Sequence, residues 1–112
     1  MPDPQDLTAL AEEHLNEART AAHGRSARMI VHDGALRQSV IALAAGSALD
    51  EHGTPPAASL QALRGKVRLT TASGDTDIVL AAGQLCAVPQ ERHGLLGLED
   101  SVVLLTVVTA TG

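Results

Sequence analysis

The apolar positions follow two different periods, and the change comes near residue 25. Leu7, Leu10, Ala11, His14, Ala18 and Ala21 recur at intervals of three and four, which lines one face of a helix, while Glu12, Glu13, Glu17 and Arg19 lie mostly elsewhere. Boundary residues frame this stretch. Asp3 is placed to cap, Pro4 suits the first helical position, and Asp6 brings a second carboxylate to the positive end of the helix dipole. Gly24 supplies the stop. The stripe is too weakly apolar for a core element, so the helix is expected to lie on the outside of something else.

From Ser26 onward the texture is one of short runs rich in Val, Ile, Leu and Thr, at 28–32, 36–44, 60–63, 66–71, 76–80, 84–88 and 102–108. Turn residues separate them: Asp33-Gly34, Gly46, Gly53 with Pro55-Pro56, Gly65, Ser73-Gly74, Gly83, Pro89, Gly94 and Gly97. Many short strands at this spacing predict an all-β sandwich or barrel. The run VVLLTVV at 102–108 has no polar alternation and reads as a strand covered on both faces. No internal repeat or low-complexity tract interrupts the pattern. The expected organisation is a helix and linker over 1–25 and a β-domain over 26–112.

At 112 residues, with 45% hydrophobic and 19% charged residues, the chain is long and apolar enough to fold as one unit. No stretch approaches the roughly 20 apolar residues that span a bilayer, and the acidic, polar N-terminus is unlike a signal peptide, so no membrane partner and a cytoplasmic location are expected. A net charge of −5 and the absence of Phe, Tyr and Trp argue against nucleic acid, which needs clustered cations and stacking surfaces. The same absence means that any internal pocket is lined by Ala, Leu, Val and Ile. The lone Cys86 closes no intramolecular disulfide; in the run QLCAV it reads as a small buried hydrophobe.

Two segments carry candidate chemistry. The first runs from Gly46 through five residues to His52, then Thr54, Ala58 and Gly65; the second runs from Gly83 through five residues to Pro89 and on to His93. Together with the terminal LEDSVVLLTVV they resemble the two motifs of the cupin superfamily, over about residues 36 to 108. The resemblance implies a double-stranded β-helix, or jelly-roll, barrel with the N-terminal helix packed outside it. It also implies a site inside the barrel, where two His and a Glu of the first motif meet a His of the second. This chain departs from that pattern, with Thr54 in place of the second His, Ala58 in place of Glu, and Glu91 in place of a Gly. His52 and His93 are therefore the expected metal ligands, and two imidazoles leave room for a weakly held divalent transition metal at most.

Two imidazoles at the mouth of an apolar cavity are also the kind of convergent polar groups that orient a small molecule. The expected ligand-binding residues are His52 and His93, with Thr54 and Glu91 beside them. Thr54 also suits a plain β-strand position, and Glu91 and Arg92 suit a solvated turn. Gln61 should point away from the face of Ala58, Leu60 and Ala62, and His14, His23 and His32 read as surface residues. No serine nucleophile elbow, phosphate loop, HExxH or dinucleotide fingerprint is present. Three readings follow: a small-molecule-binding cupin of unassigned activity, a metal-dependent oxygenase or isomerase, and a non-catalytic sensory or oligomerisation module. A homodimer is expected from the open sheet edges, with 28–32 or the outer face around Gln61 at the two-fold.

Overall fold

The computed structural model describes residues 3–52, 55–74 and 77–109. One helix, α1 (Leu7–Thr20), precedes nine strands: β1 (Arg25–Asp33), β2 (Leu36–Leu43), β3 (Ala48–His52), β4 (Ala57–Arg64), β5 (Lys66–Thr71), β6 (Asp77–Ala81), β7 (Leu85–Ala87), β8 (His93–Gly97) and β9 (Ser101–Val108). They form two antiparallel sheets, in the orders β1-β2-β9-β4-β7 and β3-β8-β5-β6. This is the expected β-barrel with a helix outside it.

Alternation along the central strands explains the arrangement. On β2, Ile41 and Leu43 face the barrel interior with Leu60, Ala62, Leu69 and Val103, whereas Val40 and Ala42 face outward. The same split divides Val102 and Leu104 from Val103 and Leu105 on β9, the neighbour that pairs Val40 with Leu104 and Ile41 with Val103. Residues of opposite parity point to opposite faces, so both faces of these strands are apolar. The barrel buries one face and α1 the other, through Leu10, Ala11, Leu15 and Ala18. The unalternating run 102–108 is thus covered on both sides at its start, where Val102 and Val103 are fully buried, while 104–107 are half-buried and Val108 is exposed.

Several boundaries differ from the sequence reading. The helix is capped by Asp6, whose Oδ1 accepts the Ala9 N–H at 3.1 Å, and Asp3 and Pro4 precede it. A turn begun at Pro4 would carry only Gln5 and Asp6, which have no apolar surface to bury. The helix ends at Thr20, before Gly24, which shapes the following turn and whose carbonyl accepts the Ala44 N–H at 2.8 Å. Strands β3 and β8 escaped the pattern because one holds LDEH and the other two glycines. Gly94 and Gly97 lie within β8 and are not turn residues.

His14 is a correction of another kind. It is 5% exposed, pinned between α1 and β1, with Nδ1 2.7 Å from Ser26 Oγ. Ser26 in turn donates to Glu17 Oε2 at 2.7 Å. His14 Nδ1–H donates to the Ser26 hydroxyl, whose own proton goes to Glu17, which satisfies one ring nitrogen, while Nε2 is buried without a hydrogen-bond partner. His23 and His32 are exposed, as expected.

The far end of α1 is tied to the β8–β9 connection. Asp100 accepts from Arg19 Nε at 2.9 Å and from the Ala45 N–H at 2.9 Å. The Arg19 hydrogen bond, followed by that of Ala45, holds the Asp100 carboxyl below the usual carboxylate range. Next to it, Ser101 is fully buried, accepting from the Lys66 N–H at 3.0 Å and lying 2.7 Å from the Glu99 carbonyl. Gly65 closes over this serine at φ 75°, where a Cβ would collide with the Asp100 carbonyl and the Ser101 hydroxyl.

Two outcomes are expected. Gly65→Ala should lower unfolding free energy by about 1–3 kcal/mol, read from the urea midpoint, because the left-handed backbone and the collision act together. Asp100→Asn should destabilise the protein at neutral pH. A carboxyl whose folded pKa is depressed contributes above its unfolded pKa and loses that contribution as pH falls through the folded value. The gap between Asp100→Asn and the parent should therefore close on acidification below about pH 4.

Candidate functional site

The site is built on the end of the second sheet. Strand β8 lies between β3 and β5, and the register sets His93 opposite His52 on one side and opposite Thr71 on the other. The β3 pairing has an irregularity between Leu49 and His52, after which the two histidines come into register. His93 and Thr71 are each 5% exposed. Thr71 was not among the sequence candidates. A signal for it existed, since Val67, Leu69 and Thr71 share the inward period of β5 and end it on a hydroxyl.

The imidazole of His93 is fixed by its own loop. Nδ1 lies 3.0 Å from the Glu91 carbonyl, which can only accept, so Nδ1 carries the proton and the neutral ring is the Nδ1–H tautomer. The Glu91 side chain turns the other way. Its Oε1 accepts from the Ser73 N–H at 3.1 Å and the Ser73 hydroxyl at 2.8 Å. These bonds, the backbone one first, lower the Glu91 pKa against a smaller opposing effect of desolvation, with Thr71 helping. A backbone bond from the Ala72 N–H to the Arg92 carbonyl, 2.8 Å, stitches the same two segments together.

Behind His93 lies a cavity with about 20 Å³ of room for the centres of water-sized molecules, space for roughly one water. Its described lining is Ile41, Leu49, Leu60, Leu69, Val88, Leu95 and Leu105, together with Gly94 and His93. In that aliphatic wall the imidazole is the polar side chain. Ala58 packs against the same core and offers no donor atom. Cys86 also packs there, half-buried where the sequence reading expected a buried hydrophobe, and burial pushes its thiol pKa up. Gln61 pairs with Leu104 and Leu85, on the face opposite to Leu60 and Ala62. Thr54 lies outside the described residues, as do the side-chain details of His52.

The metal shell that the cupin pattern implies lacks a donor at Ala58, and Thr54 and the side chain of His52 lie outside the described residues. Among the described residues no group of three or more His, Cys, Asp or Glu converges to hold an ion. Nor is any described helix long and apolar enough to cross a membrane.

No protein-family model matches the chain, and neither does any curated protein sequence. Solved structures do match. A conserved protein of unknown function from Streptococcus pyogenes is 25% identical with a TM-score of 0.71, over 82% of this chain and 80% of that one. An RmlC-like cupin from Desulfovibrio desulfuricans is 20% identical with a TM-score of 0.67, over 75% and 81%. A salicylate 1,2-dioxygenase from Pseudaminobacter salicylatoxidans is 14% identical with a TM-score of 0.73, over 89% of this chain and 33% of that one. The chain has the cupin fold.

One spectroscopic outcome follows from the His93 geometry. Long-range nitrogen–proton spectra of the imidazoles should show neutral His93 as the Nδ1–H tautomer, the rarer form in solution. An Nε2–H pattern for His93 would contradict the hydrogen bond to Glu91.

Proposed function

We propose that this cupin binds a small molecule, mostly apolar and carrying one hydrogen-bonding group, in the barrel mouth at His52 and His93, with Thr54 and Glu91 at the rim. What supports the reading is the chemistry of the cavity: one buried imidazole of fixed tautomer in an otherwise aliphatic wall, with a second histidine as its register partner. Pockets of this composition take up an apolar body by burial and orient it by a few polar contacts. The space behind His93 is small, so a ligand larger than water needs the wall to yield.

The absence of Phe, Tyr and Trp makes the test clean, because a fluorescent probe such as indole is read without protein background. Indole should bind the parent, and His93→Ala should weaken the affinity at least about tenfold, the loss of one well-placed hydrogen bond in a dry site. Equal binding by His93→Ala, or no imidazole response to indole in the parent, would overturn the reading.

A metal-dependent oxygenase or isomerase is the runner-up, and a sensory or oligomerisation module the third. Ala58 speaks against the runner-up, since it removes a donor. We propose that a divalent metal is held weakly, if at all. Elemental analysis of purified protein should give far less than stoichiometric transition metal, and Ala58→Glu with Thr54→His should raise cobalt(II) affinity. A firmly held stoichiometric metal in the parent would reverse the order of the two readings. The proposal includes a homodimer. Among the described residues no strand lies beyond β1, and Met29 on that edge is 54% exposed. Light scattering should return twice the 11.5 kDa of one chain.

A further inference from the structure

The walls of the His93 cavity are not equally fixed. Ile41, Leu60, Leu69 and Leu105 stand on β2, β4, β5 and β9, each flanked by two strands. His93, Gly94 and Leu95 stand on β8, between β3 and β5, Leu49 on the edge strand β3, and Val88 just past the end of β7; the connection from β7 to β8 joins Val88 to His93. Its ends are anchored, Val88 by a 2.9 Å bond from its N–H to the Ala58 carbonyl and Gly94 by pairing with Thr70. Between them, residues 89–92 run outside any strand and reach across to the turn after β5. There the Glu91 carboxylate grips Ser73, and the Arg92 carbonyl takes the Ala72 N–H.

We infer that residues 89–92 form a strap that swings open, shifting Val88 and His93 at its two ends to admit ligand to the cavity, and that Glu91 on Ser73 is its latch and the positioning residue for His93. The inference rests on the binding site proposed above and adds how that site is reached. A cavity with room for about one water admits nothing larger while its walls hold still, and the connection outside the strand ladders moves at least cost. Glu91 joins the two functions in one residue. Its carboxylate closes the strap, while its carbonyl sets the His93 ring, so the imidazole is in binding geometry only when the mouth is shut.

Native-state hydrogen exchange tests the latch without any ligand. The Ala72 amide is the informative one, because it bonds to the Arg92 carbonyl on the strap and not to Glu91 itself. Glu91→Ala should speed Ala72 exchange about tenfold and leave the Leu69 amide, deeper in β5, unchanged. Glu91→Gln keeps an acceptor oxygen and should fall between the two. Unchanged Ala72 exchange in Glu91→Ala, or equal acceleration at Leu69, would overturn the strap. In stopped-flow fluorescence, indole should associate about tenfold faster with Glu91→Ala than with the parent, and its imidazole response at His93 should broaden as the ring loses its anchor. Association at the parental rate would also overturn the latch. If indole binds no form of the protein, the site reading fails, and Ala72 exchange still decides whether the strap opens.

Discussion

Strands β2 and β9 carry apolar side chains on both faces, and a closed barrel can keep water from only one of them. Val40, Ala42 and Val102 point away from the barrel core and are fully buried. Their cover is α1. Without it, a contiguous apolar stripe across the middle of the larger sheet would face solvent, which soluble proteins seldom tolerate. The helix is therefore a structural layer with its own small core and not an appendage. Its polar fastenings, Arg19 to Asp100 and His14 to Ser26, add direction to a contact whose driving force is burial.

The inner face of the five-stranded sheet contributes Ile41, Leu60 and Leu105 to the cavity, and the space left among them is small. Polar chemistry is pushed to one end of the barrel, where the row of His52, His93 and Thr71 crosses the smaller sheet. A hydroxyl and an imidazole are stable there because loop groups satisfy them, and the deeper wall could not do so.

Much of the fold was legible from residue patterns. The unalternating run 102–108 announced a strand whose first residues are buried on both faces, and the run at 84–88, between Gly83 and Pro89, marked β7. Strands β3 and β8 were illegible because pairing, not side-chain pattern, makes them strands. In β8 the glycines that look like punctuation are needed for closeness: a Cβ on Gly97 would come within 3.1 Å of the Leu43 side chain. The sequence spacing singled out His93, and the groups that hold its ring were not visible in it. Glu91 has the composition of a solvated turn, and only the tertiary approach of the β5–β6 connection gives its carboxylate a partner in Ser73. His14 misled for the opposite reason. Its residue type suggests the surface, and a single serine on β1 reverses the preference.

A packed aliphatic interior and an accessible site make opposing demands. Enlarging the cavity by trimming Leu60 or Leu69 would cost about 2–5 kcal/mol each, a large share of the stability of a domain this size. The connection at 89–92 meets neither demand with apolar groups: it is held to the turn after β5 by hydrogen bonds from Ser73 and Ala72, while Val88 at its start stays in the core. Hydrogen bonds suit this role because breaking them to solvent costs little net free energy, whereas exposing a leucine costs more. Ala58 and Glu91 differ in the same sense. The first leaves the interior free of an unpaired charge, and the second places a charge at the rim, where Ser73 and water can solvate it.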